Sequence, residues 1–519
     1  MLAAAATPAT AQSSRNKIVT EVLNVYNDEL RSDPDNYNVL FRRAHLFYGQ
    51  NQYNQAMADI SKALPLIPKS DSDLLCQAYT LRANIYLMTG DNQAALDDLT
   101  EACRLDPTSY TLLYQKANTE YLLGNYSEAK EDYKRLQRYH NRSLESLVGL
   151  ARVAVNENNL GLANEYVDEA VALYPSEAEA YIRRASVRRL LGNMTGAVDD
   201  LILALAVDKN SSHAISEIVA ISHVDYNAVI SALSSAISQA PEVGIYIYIR
   251  ASIQQAHYHY LQAAADFNEI IDRNLYNYHG IHASLAECYY GLARFEKALQ
   301  EINYAIGSTA DNASYYVTRS RIRLAMGDDR NAMESAMMAQ EKNPDLNSAL
   351  VQKGLCALAQ REFNAASDYI GEATLNDPSD ARLYILRGWI LAHDLNRPAD
   401  ASTFYKRAAE ATDYPESVNS LKGFALLADG DTEGARRWID DAMSSTAVDV
   451  DGRRHFLAAA LYSQLGDLDK ALRMAEVALE RGYGSLYDWK FDDTANINVE
   501  PLRNDDRFDA LMKRYAHLF

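Results

Sequence analysis

The sequence is poor in the residues that build disulfide frameworks and metal sites, and it has no long apolar run. Its four cysteines, Cys76, Cys103, Cys288 and Cys356, are scattered and form no C-x-x-C pair, so we expect small core residues. No stretch approaches the roughly 18 apolar residues of a membrane span, which predicts no direct membrane insertion. With 12 prolines and 22 glycines in 519 residues, the chain is neither collagen-like nor largely disordered.

Positive charge is also scarce. Fifty lysines and arginines face seventy acidic residues, a net charge of −20. Such a chain repels phosphate backbones and releases few counterions from nucleic acid, so nucleic acid is not an expected partner. The acidic excess fits a solvated outer face that keeps the chain soluble, or alternatively an acidic docking surface.

One phrase recurs along the chain. A small residue is followed by glycine or a polar residue seven positions later, by alanine at twelve, by alanine again at nineteen, and often by proline at twenty-four. Ala83, Gly90, Ala95, Ala102 and Pro107 show it complete. The first small residue, here called the anchor, recurs at Ala44, Ala83, Ala117, Ala151, Ala185, Ala251, Ala286, Ser320, Gly354, Gly388, Gly423 and Ala459. Most spacings are at or near 34 residues, which predicts a repeat of two helices.

These phrases resemble the tetratricopeptide repeat family, most closely at Leu122-Leu-Gly124-Asn-Tyr126-Ser-Glu-Ala129. The resemblance runs from about residue 36 to 482 and implies roughly thirteen repeats. It implies an all-α, right-handed superhelical solenoid of helix-turn-helix repeats, of the kind found in bacterial multi-repeat proteins. Small anchors would let the two helices of a repeat approach closely, while larger apolar residues fill the layers between repeats.

The departures from this period suggest a division of the chain. We predict an N-terminal array over residues 17–212, a degenerate repeat and possible hinge over 213–242, a C-terminal array over 243–482 and a capping segment over 483–519. Residues 1–16 resemble the end of a secretory signal, because Ala9-Thr10-Ala11 has the small-x-small pattern of a cleavage site. A basic first region is missing, so a disordered alanine-rich tail is the alternative. We expect an exported, periplasmic protein, or otherwise a cytoplasmic one.

None of the common catalytic sequence motifs is present. H-E-x-x-H, G-x-S-x-G and the two glycine-rich phosphate motifs do not occur. The paired acids Asp97-Asp98, Asp199-Asp200 and Asp440-Asp441 fall on the second helix of a repeat, where we expect solvated surface. The sequence therefore predicts no enzyme and no cofactor, with an enzyme of unfamiliar site as the remaining alternative.

Four histidines are close in sequence, but the repeat separates them. His257 and His259 fall in the turn of one repeat, whereas His279 and His282 open the next. A helix of about 14 residues, roughly 20 Å long, lies between the two pairs. We therefore predict no metal site here.

The resemblance also implies where a ligand would bind. In this family the first helix of each repeat lines an inner groove, and counting from the anchors selects aromatic, asparagine and arginine side chains that suit peptide recognition. They are Asn38, Phe41, Tyr48, Asn84, Tyr114, Asn118, Tyr121, Arg152, Arg189, Tyr248, Tyr290, Arg321, Trp389, Phe424 and Phe456. For each aromatic, simple packing between helices is the alternative. Chaperone-binding members have lysines where this chain has Thr80 and Tyr114, which argues against that role.

We therefore expect a protein–protein interaction scaffold that binds a partner protein or an extended peptide in its groove. The alternative is a structural, self-assembling component of a larger cell-envelope complex.

Overall fold

The computed structural model describes residues 8–276, 278, 280–411, 421–444, 449–491 and 497–519. In these ranges all regular structure is helical and no strand occurs. The α-helices are α1 Pro8–Ser32, α2 Tyr37–Gly49, α3 Tyr53–Ala63, α4 Ser72–Thr89, α5 Asn92–Leu105, α6 Tyr110–Leu122, α7 Tyr126–Tyr139, α8 Leu144–Asn156, α9 Leu160–Leu173, α10 Ala178–Leu190, α11 Met194–Val207, α12 Ser212–Ser222, α13 Tyr226–Gln239, α14 Gly244–Ala256, α15 Tyr260–Arg273, α16 Ile281–Gly291, α17 Phe295–Ser308, α18 Ala313–Ala325, α19 Asp329–Lys342, α20 Asn347–Ala359, α21 Phe363–Asn376, α22 Ala381–Trp389, α23 Pro398–Glu410, α24 Lys422–Ala428, α25 Thr432–Ser444, α26 Arg453–Gln464, α27 Leu468–Glu480, α28 Leu486–Lys490, α29 Glu500–Arg503 and α30 Asp506–Arg514.

Helices α2 to α27 form thirteen consecutive pairs in the described chain. The even-numbered helix of each pair, called helix A below, carries the anchor in every pair except α12–α13, and the odd-numbered helix B follows after a short turn. Most pairs have extensive contacts between their two helices. The predicted all-α fold of helix-turn-helix repeats is confirmed.

Close helix crossing explains the anchors. Ala44, Ala83 and Ala117 are completely buried. At Gly354 and Gly388 a Cβ atom would lie 2.6 Å from Ile370 and 2.4 Å from Tyr405, respectively. Only a small residue allows helices A and B to approach this closely.

The glycine or polar residue seven positions after most anchors also has a physical cause. This position ends helix A in the left-handed region, with φ of +85° at Gly90 and +81° at Gly124. Asparagine replaces glycine at Asn51 and Asn158, with φ of +60° and +56°. Glycine and asparagine tolerate this conformation better than other residues do, and the turn therefore has a sequence signature.

The chain forms two compact units, unit 1 (Met1–Ala214) and unit 2 (Ile215–Phe519). Helix α1 begins at Pro8, before the predicted start of the N-terminal array at residue 17, so the described part of the alanine-rich stretch is helical. The domain boundaries predicted from sequence, the export signal and the hinge stay predictions.

The C-terminal segment supplies part of the core of unit 2. Trp489, Val499, Leu502 and Phe508 are buried there against α26 and α27. Among the helices of the described ranges, none has the length and apolarity needed to cross a bilayer.

Candidate protein-binding surfaces of the two units

Consecutive A helices of unit 1 are linked by side-chain hydrogen bonds across their open face. Gln115 Nε2 donates to Asn84 Oδ1 at 2.9 Å, joining α4 and α6. Arg152 Nη1 donates to Asn118 Oδ1 at 3.0 Å, joining α6 and α8. Asn156 Nδ2 donates to the Tyr121 hydroxyl at 2.6 Å. These bonds arrange amide, guanidinium and phenol groups in one row, which we call the A-helix face of unit 1.

Arg152 is the main charged group of this row. Its guanidinium carbon lies 4.0 Å from the centroid of the Tyr121 ring, within cation–π range. Its guanidinium donates to the neutral Asn118, and within the described ranges no carboxylate lies within ion-pair distance of it. A carboxylate partner for Arg152 is thus absent from the described part of this face.

Pairs of aromatic rings lie beside the row. Tyr121, four residues after its anchor, contacts Tyr126 at the start of α7 with ring centroids 5.4 Å apart. Tyr48 and Tyr53 have the same positions in the α2–α3 pair, 5.9 Å apart. The same ring contact recurs because the two tyrosines stand at the same distances from the anchor in both helix pairs.

The other predicted residues of unit 1 differ in exposure. Phe41 and Tyr114 are partly buried, and both pack against core clusters of their repeats. Asn38 and Arg189 are exposed. For Phe41 and Tyr114, packing accounts for much of the side chain.

Unit 2 contains a second copy of this arrangement at the same positions relative to the anchors. Arg321 lies 4.6 Å from the ring centroid of Tyr290, as Arg152 does above Tyr121. Phe295 contacts Tyr290 at 5.9 Å, as Tyr126 contacts Tyr121. The residue in the place of Asn118 is Glu287, whose carboxylate accepts hydrogen bonds from Arg321 at 3.1 and 3.2 Å. Here the arginine is neutralised within the array.

The aromatic rings of this second copy are covered by the C-terminal segment of the same chain. Tyr487, in α28, lies over Tyr290 with ring centroids 4.6 Å apart. Phe491 contacts Phe295 at 5.5 Å and stacks on Tyr487 at 5.2 Å. Tyr290 is consequently only 9% exposed, and burial raises the pKa of its hydroxyl well above the usual value. The predicted groove position of Tyr290 is thus occupied in this structure.

The same segment is tied to the turn between α14 and α15. The Gly484 N–H donates to the Tyr258 carbonyl at 3.1 Å, and the Tyr258 and Tyr483 rings are 4.9 Å apart. Tyr258 is a non-glycine residue at φ +63°, a conformation that costs about 1 kcal/mol or more. The last repeat of unit 2 is therefore held against its second helix pair.

Other predicted residues of unit 2 lie among packed rings. Tyr248 contacts Tyr276 and Tyr278 at 5.1 and 5.2 Å, and burial raises the pKa of its hydroxyl to about 12. Trp389 and His393 have ring centroids 3.9 Å apart.

Two groove predictions in unit 2 are corrected. Phe424 and Phe456 are 5% and 4% exposed and belong to the core cluster of the C-terminal repeats. Phe456 stacks on Tyr483 at 4.8 Å, a partner that the repeat register did not indicate.

The interpretation of the paired acids as solvated surface is also wrong for two of them. Asp98 and Asp200 are 4% and 0% exposed, and each binds an arginine of its own repeat. The Arg82 and Arg184 guanidiniums donate to them at 2.7 and 2.6 Å. The cation precedes the anchor by one residue and the acid lies sixteen residues after the cation. The pairs with this spacing are Arg43–Asp59, Arg82–Asp98, Lys116–Asp132, Arg184–Asp200 and Arg250–Asp266.

The histidines take part in packing and hydrogen bonds. His257 is 2% exposed, and its ring lies 3.1 Å from the Ser222 hydroxyl and 3.5 Å from the Asp451 carboxylate. His282 Nδ1 lies 2.6 Å from Glu301. His279 lies outside the described residues.

His259 should make unit 2 sensitive to acid. Burial, together with the nearby His257, lowers its pKa to about 4. The unfolded chain takes up this proton near pH 6.5, so the free energy of unfolding should fall by up to about 3 kcal/mol between pH 6.5 and 4. Urea unfolding of unit 2 over this range, followed by hydrogen exchange, measures the slope.

The control for this slope is His259→Asn. His259 is the N-cap of α15 and its side chain makes no cap hydrogen bond, and asparagine caps helices well. The variant loses the ring stacking on Tyr226, a cost that does not depend on pH. A variant with the same pH slope as the wild-type chain would contradict the assignment to His259.

Three regions of the chain match models of one family. Residues 148–214 and 351–418 match one tetratricopeptide repeat model, and residues 77–109 match another. Within the described residues, each matched region overlaps A–B helix pairs.

Curated relatives match over short stretches. Protein SGT1 homolog of Bos taurus is 30% identical over 88 residues, which is 17% of this chain and 26% of the relative. Superkiller complex protein 3 of Homo sapiens is 27% identical over 179 residues, 33% of this chain and 11% of the relative. DnaJ homolog subfamily C member 3 of Bos taurus is 23% identical over 206 residues, 37% of this chain and 40% of the relative. The chain thus spans less than half the length of each of these relatives.

The solved structures that this chain matches include yeast Tom70 and YrrB. Tom70 is 16% identical, with 79% of this chain and 99% of that chain covered and a TM-score of 0.37. YrrB, described as a TPR protein with an unusual peptide-binding site, is 19% identical, with 37% and 96% covered and a TM-score of 0.30. The three matched regions, together with the A–B helix pairs of the described residues, show that the chain contains tetratricopeptide repeats.

Proposed function

We propose that this chain is an interaction scaffold that holds a partner protein or an extended peptide on the A-helix face of unit 1. Tetratricopeptide repeats generally mediate protein–protein interactions. The observation that carries the proposal is the row of amide, phenol and guanidinium groups that joins α4, α6 and α8. Amides of this kind can pair with the N–H and C=O groups of a bound backbone, and rigid aromatic rings add contact area at low entropic cost.

The proposal places binding in unit 1 rather than unit 2. In unit 2 the corresponding aromatic pair is already covered by Tyr487 and Phe491. In the described part of unit 1, the rings of Tyr121 and Tyr126 have no such cover beyond their own repeats and the neighbouring α8. Because the aromatic pair is uncovered in unit 1 and covered in unit 2, we favour a single peptide-binding face, the one on unit 1.

The test is in-cell crosslinking followed by affinity capture with a triple variant, Asn84→Ala, Asn118→Ala and Arg152→Ala. These side chains are at least partly accessible, so we expect unchanged helicity and loss of the captured partner. The matched control is Asp97→Ala, Glu131→Ala and Glu165→Ala, three exposed changes on the B helices of the same repeats. Equal capture by both triple variants would overturn the proposal.

One observation favours the alternative of a self-assembling component. In four repeats of unit 1 an apolar side chain at or just after the end of helix B is exposed at the same distance from the anchor, whereas Leu105, at that position in the α4–α5 pair, is half-buried. The four exposed side chains are Leu66, Tyr139, Leu173 and Val207, at 38%, 53%, 50% and 42%. An apolar edge of this kind is a common contact between identical chains. A dimer in light scattering that Leu173→Lys dissociates would support this alternative.

A further inference from the structure

The two copies of the arginine–tyrosine arrangement differ in several respects, and two of the differences together describe a missing ligand. In unit 2 the guanidinium of Arg321 has a carboxylate, Glu287, at 3.1 Å. In unit 1 the guanidinium of Arg152 has the neutral Asn118 at 3.0 Å. The first difference is therefore one absent negative charge.

The second difference is an absent aromatic ring. In unit 2 the tyrosine under the guanidinium, Tyr290, is covered by Tyr487 at 4.6 Å, and its neighbour Phe295 is covered by Phe491. In unit 1 the equivalent Tyr121 and Tyr126 contact each other at 5.4 Å. In the described part of the chain no further aromatic ring lies against this pair.

The arginine–tyrosine distance and the angle between the paired aromatic rings are alike in the two copies. Arginine-to-ring distances are 4.0 Å in unit 1 and 4.6 Å in unit 2. The paired aromatics meet at interplanar angles of 59° and 55°. A ring that suits one pair should therefore suit the other, with the carboxylate now supplied by the ligand.

We propose that the A-helix face of unit 1 binds an extended partner segment that carries an aromatic side chain next to an acidic one. The aromatic ring covers Tyr121 and Tyr126 as Tyr487 covers Tyr290, and the carboxylate pairs with Arg152 as Glu287 pairs with Arg321. This inference rests on the proposed function and states the chemistry of its partner. Charge complementarity favours an acidic segment over a basic one, because the guanidinium has no acidic neighbour.

The chain itself supplies the probe. A synthetic peptide with the sequence of residues 485–491, Ser-Leu-Tyr-Asp-Trp-Lys-Phe, contains the ring that covers Tyr290, followed by an aspartate. When the peptide is added to the full-length protein, the corresponding site of unit 2 is already occupied by the same segment of the chain. That segment is covalently attached and so has a high effective concentration, which excludes the peptide from unit 2. Saturable binding, measured by fluorescence anisotropy of the labelled peptide, therefore reports on unit 1.

The informative protein variant is Asn118→Glu, which recreates the Glu287–Arg321 pair within unit 1. We expect it to keep the fold and to weaken peptide binding at least about tenfold, because Arg152 is then neutralised internally. Arg152→Gln should weaken binding similarly and should make the protein indifferent to Asp488→Asn in the peptide. Tyr487→Ala in the peptide should weaken binding to every protein variant.

Absence of saturable binding, or binding that is unchanged by Asn118→Glu and by both peptide changes, would overturn this inference. Its failure is distinguishable from failure of the scaffold proposal. If a partner is captured in cells and lost in the Asn84, Asn118 and Arg152 triple variant but kept in Asn118→Glu, the scaffold stands and the aromatic–acidic chemistry falls. If the triple variant captures the partner as well as the wild-type chain does, the scaffold proposal itself is wrong.

Discussion

Asp200→Asn should lower the free energy of unfolding of the α10–α11 repeat by about 3 kcal/mol, the size expected when one partner of a buried ion pair is removed. Asp200 is completely buried and accepts hydrogen bonds from Arg184 at 2.6 Å, and its other carboxylate oxygen lies 2.9 Å from Arg188. Asparagine keeps the shape but removes the negative charge, so two arginines lose their buried counter-charge. Urea unfolding with hydrogen exchange of α10 and α11 measures the loss locally, since repeats unfold nearly as neighbouring units.

The neighbouring residue provides the control. Asp199 is the same residue type on the same helix, but its side chain faces solvent. We expect Asp199→Asn to change stability by less than about 0.5 kcal/mol. Equal effects of the two substitutions would show that the ion pairs between helices A and B add nothing beyond surface charge.

The repeat architecture could be predicted from sequence because two geometric requirements recur in most pairs. A close helix crossing requires a small anchor, and the left-handed turn residue is most often glycine or asparagine, as at Gly90 and Asn51, although Tyr258, Ala293 and Arg361 also occupy this position. Both requirements act over fewer than forty residues, so they appear as a period of the sequence. The number of helix pairs and their register follow from that period.

The buried ion pairs have a sequence pattern of their own, which is harder to recognise than the more frequent alanine pattern. An arginine or lysine stands just before the anchor and an aspartate stands sixteen residues later, as in Arg82 and Asp98. Considered alone, Asp97-Asp98 indicates a wet surface, because adjacent acids are usually solvated. The sixteen-residue spacing between the cation and the aspartate places only Asp98 on the face toward helix A, and Asp98 is buried.

The covering of Tyr290 by Tyr487 could not be predicted in this way. The two residues are almost two hundred positions apart, and the contact occurs once, so no period reports it. It depends on how far the repeats of unit 2 turn before the C-terminal segment begins. Register alone therefore assigned Tyr290 and Tyr121 the same role, whereas one ring is covered and the other is not.

The largest effect of any single substitution is expected at Trp489, which closes the C-terminal end of unit 2. Its side chain is completely buried and contacts the rings of Phe456, Phe508 and Tyr483 at 4.8, 5.8 and 5.9 Å. Its indole N–H donates to the Tyr483 carbonyl at 3.4 Å. Trp489→Ala removes these contacts and leaves a cavity, so we expect a loss of about 4 kcal/mol in the unfolding free energy of the last repeat.

The same change should release the segment from Tyr290. Hydrogen exchange of residues 483–491 is expected to accelerate together with that of α26 and α27, whereas α4 to α9 of unit 1 keep their protection. Phe491→Ala is the matched control, because Phe491 is 37% exposed and lies outside the buried cluster. It should cost about 1 kcal/mol or less. If Trp489→Ala left the exchange of residues 483–491 unchanged, the segment would be held by Gly484 and Tyr258 at the turn, and the indole would serve the core of the last repeat alone.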